Sequence, residues 1–241
     1  MAPRFIAAFL AFPLSVPLAA QGRTGARTEG AEQIPWEQLT PAFRLDAQEV
    51  VSRAHFSFQA RTQPRKVRIP TMERIFDHPR MGVAMWRGCG FVPEFSAFVH
   101  PDGSWSLDDG RGLKATLWPI LQSPGHRIYF VEGLVESGRL KNPFDVRARM
   151  VTSYRYWEEQ GRYVSYLQSW TQLDSSLLGF AARPFHGFIK SRQEQFIEYI
   201  NANIANFGEF AELAPQDFVG PLKQGGDPLA LREFEQQFMR K

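Results

Sequence analysis

Apolar positions recur along this chain with two different periods, and the places where the period changes mark its elements. Between Phe91 and Asp174, apolar and polar residues alternate in short runs divided by turn residues, which predicts strands. The runs are Phe95–Val99, Trp105–Leu107, Leu113–Ile120 and Arg127–Val135, cut by Pro101-Asp102-Gly103, Asp108-Asp109-Gly110-Arg111-Gly112 and Ser123-Pro124-Gly125. Two longer runs, Val146–Trp157 and Arg162–Leu173, are joined by Glu158-Glu159-Gln160-Gly161 and read as a hairpin. Residues 54–60 also alternate, with Phe56 and Phe58 on one face.

Elsewhere the period is helical. Pro70 opens a helix carrying Met72, Ile75 and Phe76. Asp77-His78-Pro79 stops it and starts a second, which carries Met81, Val83, Ala84, Met85 and Trp86 and ends at Gly88-Cys89-Gly90. Asp46 to Glu49 has capping-box spacing and predicts a short helical turn. After the capping cluster Asp174-Ser175-Ser176, the residues Phe185, Phe188, Ile189, Phe196, Ile197, Ile200, Ile204 and Phe207 make one apolar stripe, which predicts a helix of about five or six turns. Pro184 predicts a break or kink in it. Residues 214–227 are rich in Pro and Gly and read as a loose tail, with a last short helix from Asp227-Pro228.

Strands in chain order joined by short turns make an antiparallel meander, and its apolar face needs a cover. The expected fold class is α+β: an antiparallel sheet wrapped around a long C-terminal helix, with two short helices after the first strand. In this order the chain resembles the START-like helix-grip superfamily (SRPBCC) over roughly residues 54–210. The residues that carry the resemblance are Phe56-Ser57-Phe58, the helix pair from Pro70 to Gly90, the hairpin at Gly161 and the stretch from Asp174 to Phe207. Asp77-His78-Pro79 followed by Met85-Trp86-Arg87 is similar to bacterial members of that group. The resemblance implies a cavity between sheet and helix holding a lipid or another apolar molecule; some members are cyclases or hydrolases. Phe56, Phe58, Met81, Met85, Trp86, Tyr154, Tyr156, Phe185, Phe188 and Ile189 are the expected lining.

The start of the chain changes where such a protein would work. Met1 to Arg4 carries one positive charge and Phe5 to Ala20 carries none, which reads as a secretory leader over residues 1–22. Cleavage after Ala20 or after Gly22 fits, and residues 23–35 read as a flexible linker before one domain over 36–213. A periplasmic or secreted protein is expected. The single cysteine, Cys89, excludes an intramolecular disulfide and any multi-cysteine metal site. A net charge of +3 on 241 residues argues against a nucleic-acid partner.

Chemistry is sparse. The five histidines show no metal-ligand spacing, and no cofactor motif is present. His186, beside Pro184, is the one weak acid–base candidate, with Glu132 as a carboxylate that could point inward. His78 and His126 lie beside Pro or Gly and read as solvated turn residues. Arg147, Arg149 and Arg155 fall on the strand face opposite Met150, Thr152, Tyr154 and Tyr156, so the arginine face points outward. That row is either a solvated edge with paired charges or a transient contact with anionic lipid headgroups. Three functions stay open: an exported binder of an apolar molecule, a hydrolase or cyclase on such a molecule, or a structural envelope protein without a ligand.

Overall fold

The computed structural model describes residues 33–136, 145–174 and 182–239, with the backbone alone over 182–194 and at 196. Residues 1–22, expected as a leader, most of the expected linker and the capping residues Ser175 and Ser176 lie outside the described residues. Among the described residues seven strands form one antiparallel sheet: β1 (Phe56–Arg61), β2 (Ser96–Val99), β3 (Trp105–Asp108), β4 (Leu113–Ser123), β5 (His126–Val135), β6 (Val146–Glu159) and β7 (Arg162–Leu173). Their spatial order is β1-β7-β6-β5-β4-β3-β2, so β2 to β7 are a meander and β1 pairs with its last strand. The β6–β7 connection is the tight pair Gln160–Gly161, with φ of 52° and 72°, the left-handed geometry of a primed hairpin turn. Strand β6 therefore runs on beyond Trp157, where the sequence expectation ends it. A register shift between Pro119 and Leu121 bends β4.

Among the described residues six α-helices accompany the sheet: α1 (Pro41–Ser52), α2 (Ile69–Asp77), α3 (Pro79–Gly88), α4 (Ala182–Leu213), α5 (Gln216–Gln224) and α6 (Pro228–Phe234). The pair α2 and α3 follows the sequence expectation, including the break at His78. Pro184 is the third described residue of α4.

Two elements correct the sequence reading. The short turn expected at Asp46 is a full helix beginning at Pro41, because Phe43, Ala47, Val50 and Val51 present an apolar stripe. The stretch expected to be a loose tail forms α5, with Phe218 and Leu222 buried, despite Gly220 and Pro221. The chain therefore does not close on one helix, since α5 and α6 join α2, α3 and α4 in the same core.

The sheet is covered on both sides. Paired residues share a face, so the register places Ala60, Leu167, Tyr154 and Arg127 on one side and Gln59, Gln168, Ser153 and His126 on the other. The first, inner side meets α2 to α6 around Tyr154, Tyr156, Tyr163 and Leu167. On the second, outer side, Ile34, Leu39 and α1 pack over Ile120, Ile128, Phe130, Val151 and Trp170. Strand β7 is buried on both faces for this reason, which its alternation alone could not show.

Candidate ligand site on the inner sheet face

Helix α4 is seated on the inner face at its β1–β7 end by a polar clasp. Asn201, 1% exposed, donates from Nδ2 to the Ala60 carbonyl at 2.9 Å and accepts at Oδ1 from the Ser165 hydroxyl at 2.9 Å. The Thr62 hydroxyl in turn accepts from the Ser165 amide at 2.8 Å. The Tyr154 and Tyr163 hydroxyls share a hydrogen bond of 2.9 Å beside this clasp. Burial pushes Tyr154 up to about 12 and Tyr163 well above the ordinary phenol range, so both stay neutral.

A second polar cluster holds α2 alongside the first, since its Tyr156 pairs in register with Ser165. Arg127, 5% exposed, reaches from β5 to two carboxylates of α2. Its Nη2 donates to Glu73 Oε2, and its Nη1 lies 2.8 Å from Asp77 Oδ1. Glu73 Oε1 also accepts from the Tyr156 hydroxyl at 2.5 Å and from the Gly125 amide at 3.2 Å. Burial works to raise the Glu73 pKa, and the Tyr156 and Arg127 hydrogen bonds outweigh it, so the carboxyl titrates below its ordinary value. Each donor has an acceptor in this cluster, which ties a helix to a sheet corner.

Beyond these anchors, toward β3, the inner face is less tightly packed. Trp105, Leu107, Ala115, Leu117, Tyr129 and Met150 on β3 to β6 are all half-buried, beside a core whose tyrosines are 0–3% exposed. A Cβ built on Gly133, also on this face, would meet only the Ala148 and Lys114 carbonyls of the flanking strands, at 3.9 and 4.0 Å. Among the described residues nothing packs directly above it within that reach. Tyr129, despite its accessible surface, is enclosed enough that burial pushes its hydroxyl up to about 12. Thr152 and Ser169, directly paired across β6 and β7, bury hydroxyl oxygens that find no hydrogen-bond partner among the described residues. The site is thus a strip of apolar surface with polar atoms at its β6–β7 edge.

The residues expected to line a cavity distribute as follows. Phe56 and Phe58 stack at 6.3 Å on the inner face with Leu173, Val146 and Ala148. Met81, Met85 and Trp86 of α3 and Tyr154 and Tyr156 of β6 are in the main core, each 6% exposed or less. Phe185, His186, Phe188 and Ile189 fall on the first turns of α4, and their side chains lie outside the described residues. The half-buried Tyr129 and Leu117 were not singled out by sequence, although the β5 and β4 alternation places them on the face of Met150 and Thr152.

Other sequence candidates move. Glu132 pairs in register with Arg149 and Thr116 on the outer face and is exposed, so it does not point inward. His126 is not a solvated turn residue: it opens β5, shares a 2.8 Å hydrogen bond with the Ser153 hydroxyl, and is pushed down to about 4 by burial and the Arg155 charge. Cys89 is pushed up to about 12 by burial, which leaves it a poor nucleophile. In the outer arginine row, Arg149 lies 3.2 Å from Glu49 and donates to Gln172 at 2.9 Å, and Arg155 lies over the Tyr166 ring. Among the described residues no cluster of three or more His, Cys, Asp or Glu is placed to hold a metal. No helix among them is long and apolar enough to cross a membrane.

No family model matches the chain, and no curated protein does. Among solved structures, it is similar to an uncharacterised protein from Rhizobium leguminosarum, with 18% identity and a TM-score of 0.38 over 64% of this chain and 94% of that one. A protein from Thermus thermophilus aligns at 10% identity and a TM-score of 0.39, over 65% of this chain and 99% of that one. Ara h 8.0201 aligns at 8% identity and a TM-score of 0.40, over 63% and 98%.

Proposed function

We propose that the protein is an exported carrier of the helix-grip type, which holds a hydrophobic small molecule or lipid between the inner sheet face and α4. The observation that carries this reading is the strip of half-buried apolar residues beside a tightly closed core, with no side chain of the described residues within 4 Å of a Cβ built on Gly133. Apolar surface left half-covered in the interior of a fold is a cost unless something completes its burial. A ligand covering that strip would contribute about 25 cal/mol per Å² of apolar area before ordering costs. The leader-like residues 1–22 support export.

The ligand carries at least one hydrogen-bonding group. Thr152 and Ser169 offer it two neighbouring hydroxyls, and Tyr129, paired with Thr152, a neutral phenol in the same row. The cationic group of the same face, Arg127, is already engaged with Glu73 and Asp77, so a neutral polar group fits the hydroxyl pair better than a carboxylate does.

The test is a titration of the full chain with an environment-sensitive apolar dye, with wild type compared to Gly133→Leu. A side chain there needs no left-handed backbone, and its Cβ meets no side chain of the described residues within 4 Å. Saturable binding by wild type, weakened at least about tenfold in the variant, is the expected result. No saturable signal in a folded wild-type protein overturns the reading.

A further inference from the structure

The two faces of α3 do different work. Met81, Met85 and Trp86 point into the core, while Arg80 and Arg87, two helical turns apart, line an open cleft of about 350 Å³ on the other side. The cleft lies between α3, the start of the edge strand β2 and the turn into α6; Ser96, Ala97, Gly226 and Leu229 also line it. Ala97 is paired in register with Leu107, so the cleft adjoins the β3 edge of the strip on the inner sheet face.

The charges in the cleft are not balanced. Arg80 Nε lies 3.2 Å from Asp227 Oδ2, and the other oxygen of that carboxylate accepts the Leu229 and Ala230 amides at 3.2 and 3.1 Å. Arg87 makes no ion pair with any described residue. The Nε atoms of both arginines are buried without a hydrogen-bond partner among the described residues, that of Arg80 because its approach to Asp227 is not aligned for one. Those two nitrogens are out of reach of water, so what Arg87 offers the cleft is the rest of its guanidinium, which has no ion-pair partner among the described residues. Two arginines against Asp227 leave a surplus of one positive charge among the lining residues.

We propose that this cleft binds a small carboxylate, with Arg87 as its principal partner and Arg80 as the second. The planar guanidinium fork matches a carboxylate's two oxygens. The single surplus charge suits a monoanion rather than a dianionic phosphate, and Ala97, Pro228 and Leu229 offer apolar surface for a short aliphatic tail.

Amide spectra of the isotope-labelled full chain, titrated separately with butyrate, acetate and inorganic phosphate, test this. Butyrate should give saturable shifts centred on Ser96, Ala97, Gly225 and Gly226, with tighter binding than acetate or phosphate. Arg87→Gln should weaken butyrate at least about tenfold while leaving the distant spectrum unchanged. Absent or non-saturating shifts, tighter binding of phosphate, or wild-type affinity in Arg87→Gln overturns the proposal. Should that variant fail to fold, arginine modification by phenylglyoxal decides in wild type: butyrate protects Arg87 if the proposal holds and does not if it fails.

Discussion

Replacing Arg127 removes the tie between α2 and the sheet. In Arg127→Leu, the Glu73 carboxylate loses its cation, Asp77 loses its 2.8 Å partner, and Gln122 loses a donor at 3.3 Å. Breaking a fully buried ion pair by deleting one partner costs about 3–5 kcal/mol. Here the carboxylates retain water, with side-chain exposures of 22% for Glu73 and 52% for Asp77. That exposure lowers the expected loss to about 2–3 kcal/mol. Glu73→Gln keeps an acceptor for the Tyr156 hydroxyl and the Gly125 amide, so it should cost less, about 1–2 kcal/mol. Urea unfolding at pH 7 measures both. The pH dependence gives a second check. Glu73 titrates lower in the folded chain than its ordinary 4.5, so its contribution is full above about that pH and is lost as pH falls through the folded value. The gap between wild type and Glu73→Gln should therefore close below about pH 4.5. A loss under about 0.5 kcal/mol for Arg127→Leu, or a gap that is flat with pH, would show that this corner is not held by its charges.

Three further outcomes follow from other buried groups. His126 titrates at about 4 when folded against an ordinary 6.5, so the unfolded chain takes up the proton first as pH falls. Stability should decline between about pH 6.5 and 4, and His126→Asn should flatten that part of the urea-midpoint profile. Cys89, with its thiol pushed up to about 12, should resist a disulfide-exchange reagent at pH 8 in the native protein and react at once in denaturant; fast native labelling would show that the burial is wrong. Asn201→Ala leaves the Ser165 hydroxyl and the Ala60 carbonyl without that partner and should cost about 2–3 kcal/mol with no change in the urea slope.

Sequence reasoning reached the sheet because strands and their turns are local. Alternation between Phe91 and Asp174, and glycines at Gly103, Gly110, Gly125 and Gly161 with positive φ, mark the hairpins without reference to the rest of the chain. It missed the second cover of the sheet. Phe43, Ala47, Val50 and Val51 lie at helical spacing, but the capping-box spacing at Asp46 pointed to a later start. It misread residues 216–224 because Gly220 and Pro221 argue locally against a helix, while burial of Phe218 and Leu222 against α3 decides for one. Strand β7 shows the same limit: Trp170 and Leu167 on opposite faces are both buried, and only the packed helices show why. The candidate site was legible in part. The inner face of β6, with Met150, Thr152 and Tyr154, follows from the position of its arginines. The contact of Arg127 with Glu73, 54 residues apart, and the pairing of Thr152 with Ser169 depend on tertiary register that no spacing encodes.

A bound apolar molecule should complete the half-covered strip around Gly133 and Met150, and mass spectrometry of small molecules extracted from the natively purified full chain would detect it. The expected finding is an apolar compound with a neutral polar group, near one per protein and sharply depleted in Gly133→Leu. A folded wild-type protein that yields no such compound, or yields it equally from both proteins, would leave the strip without its proposed occupant.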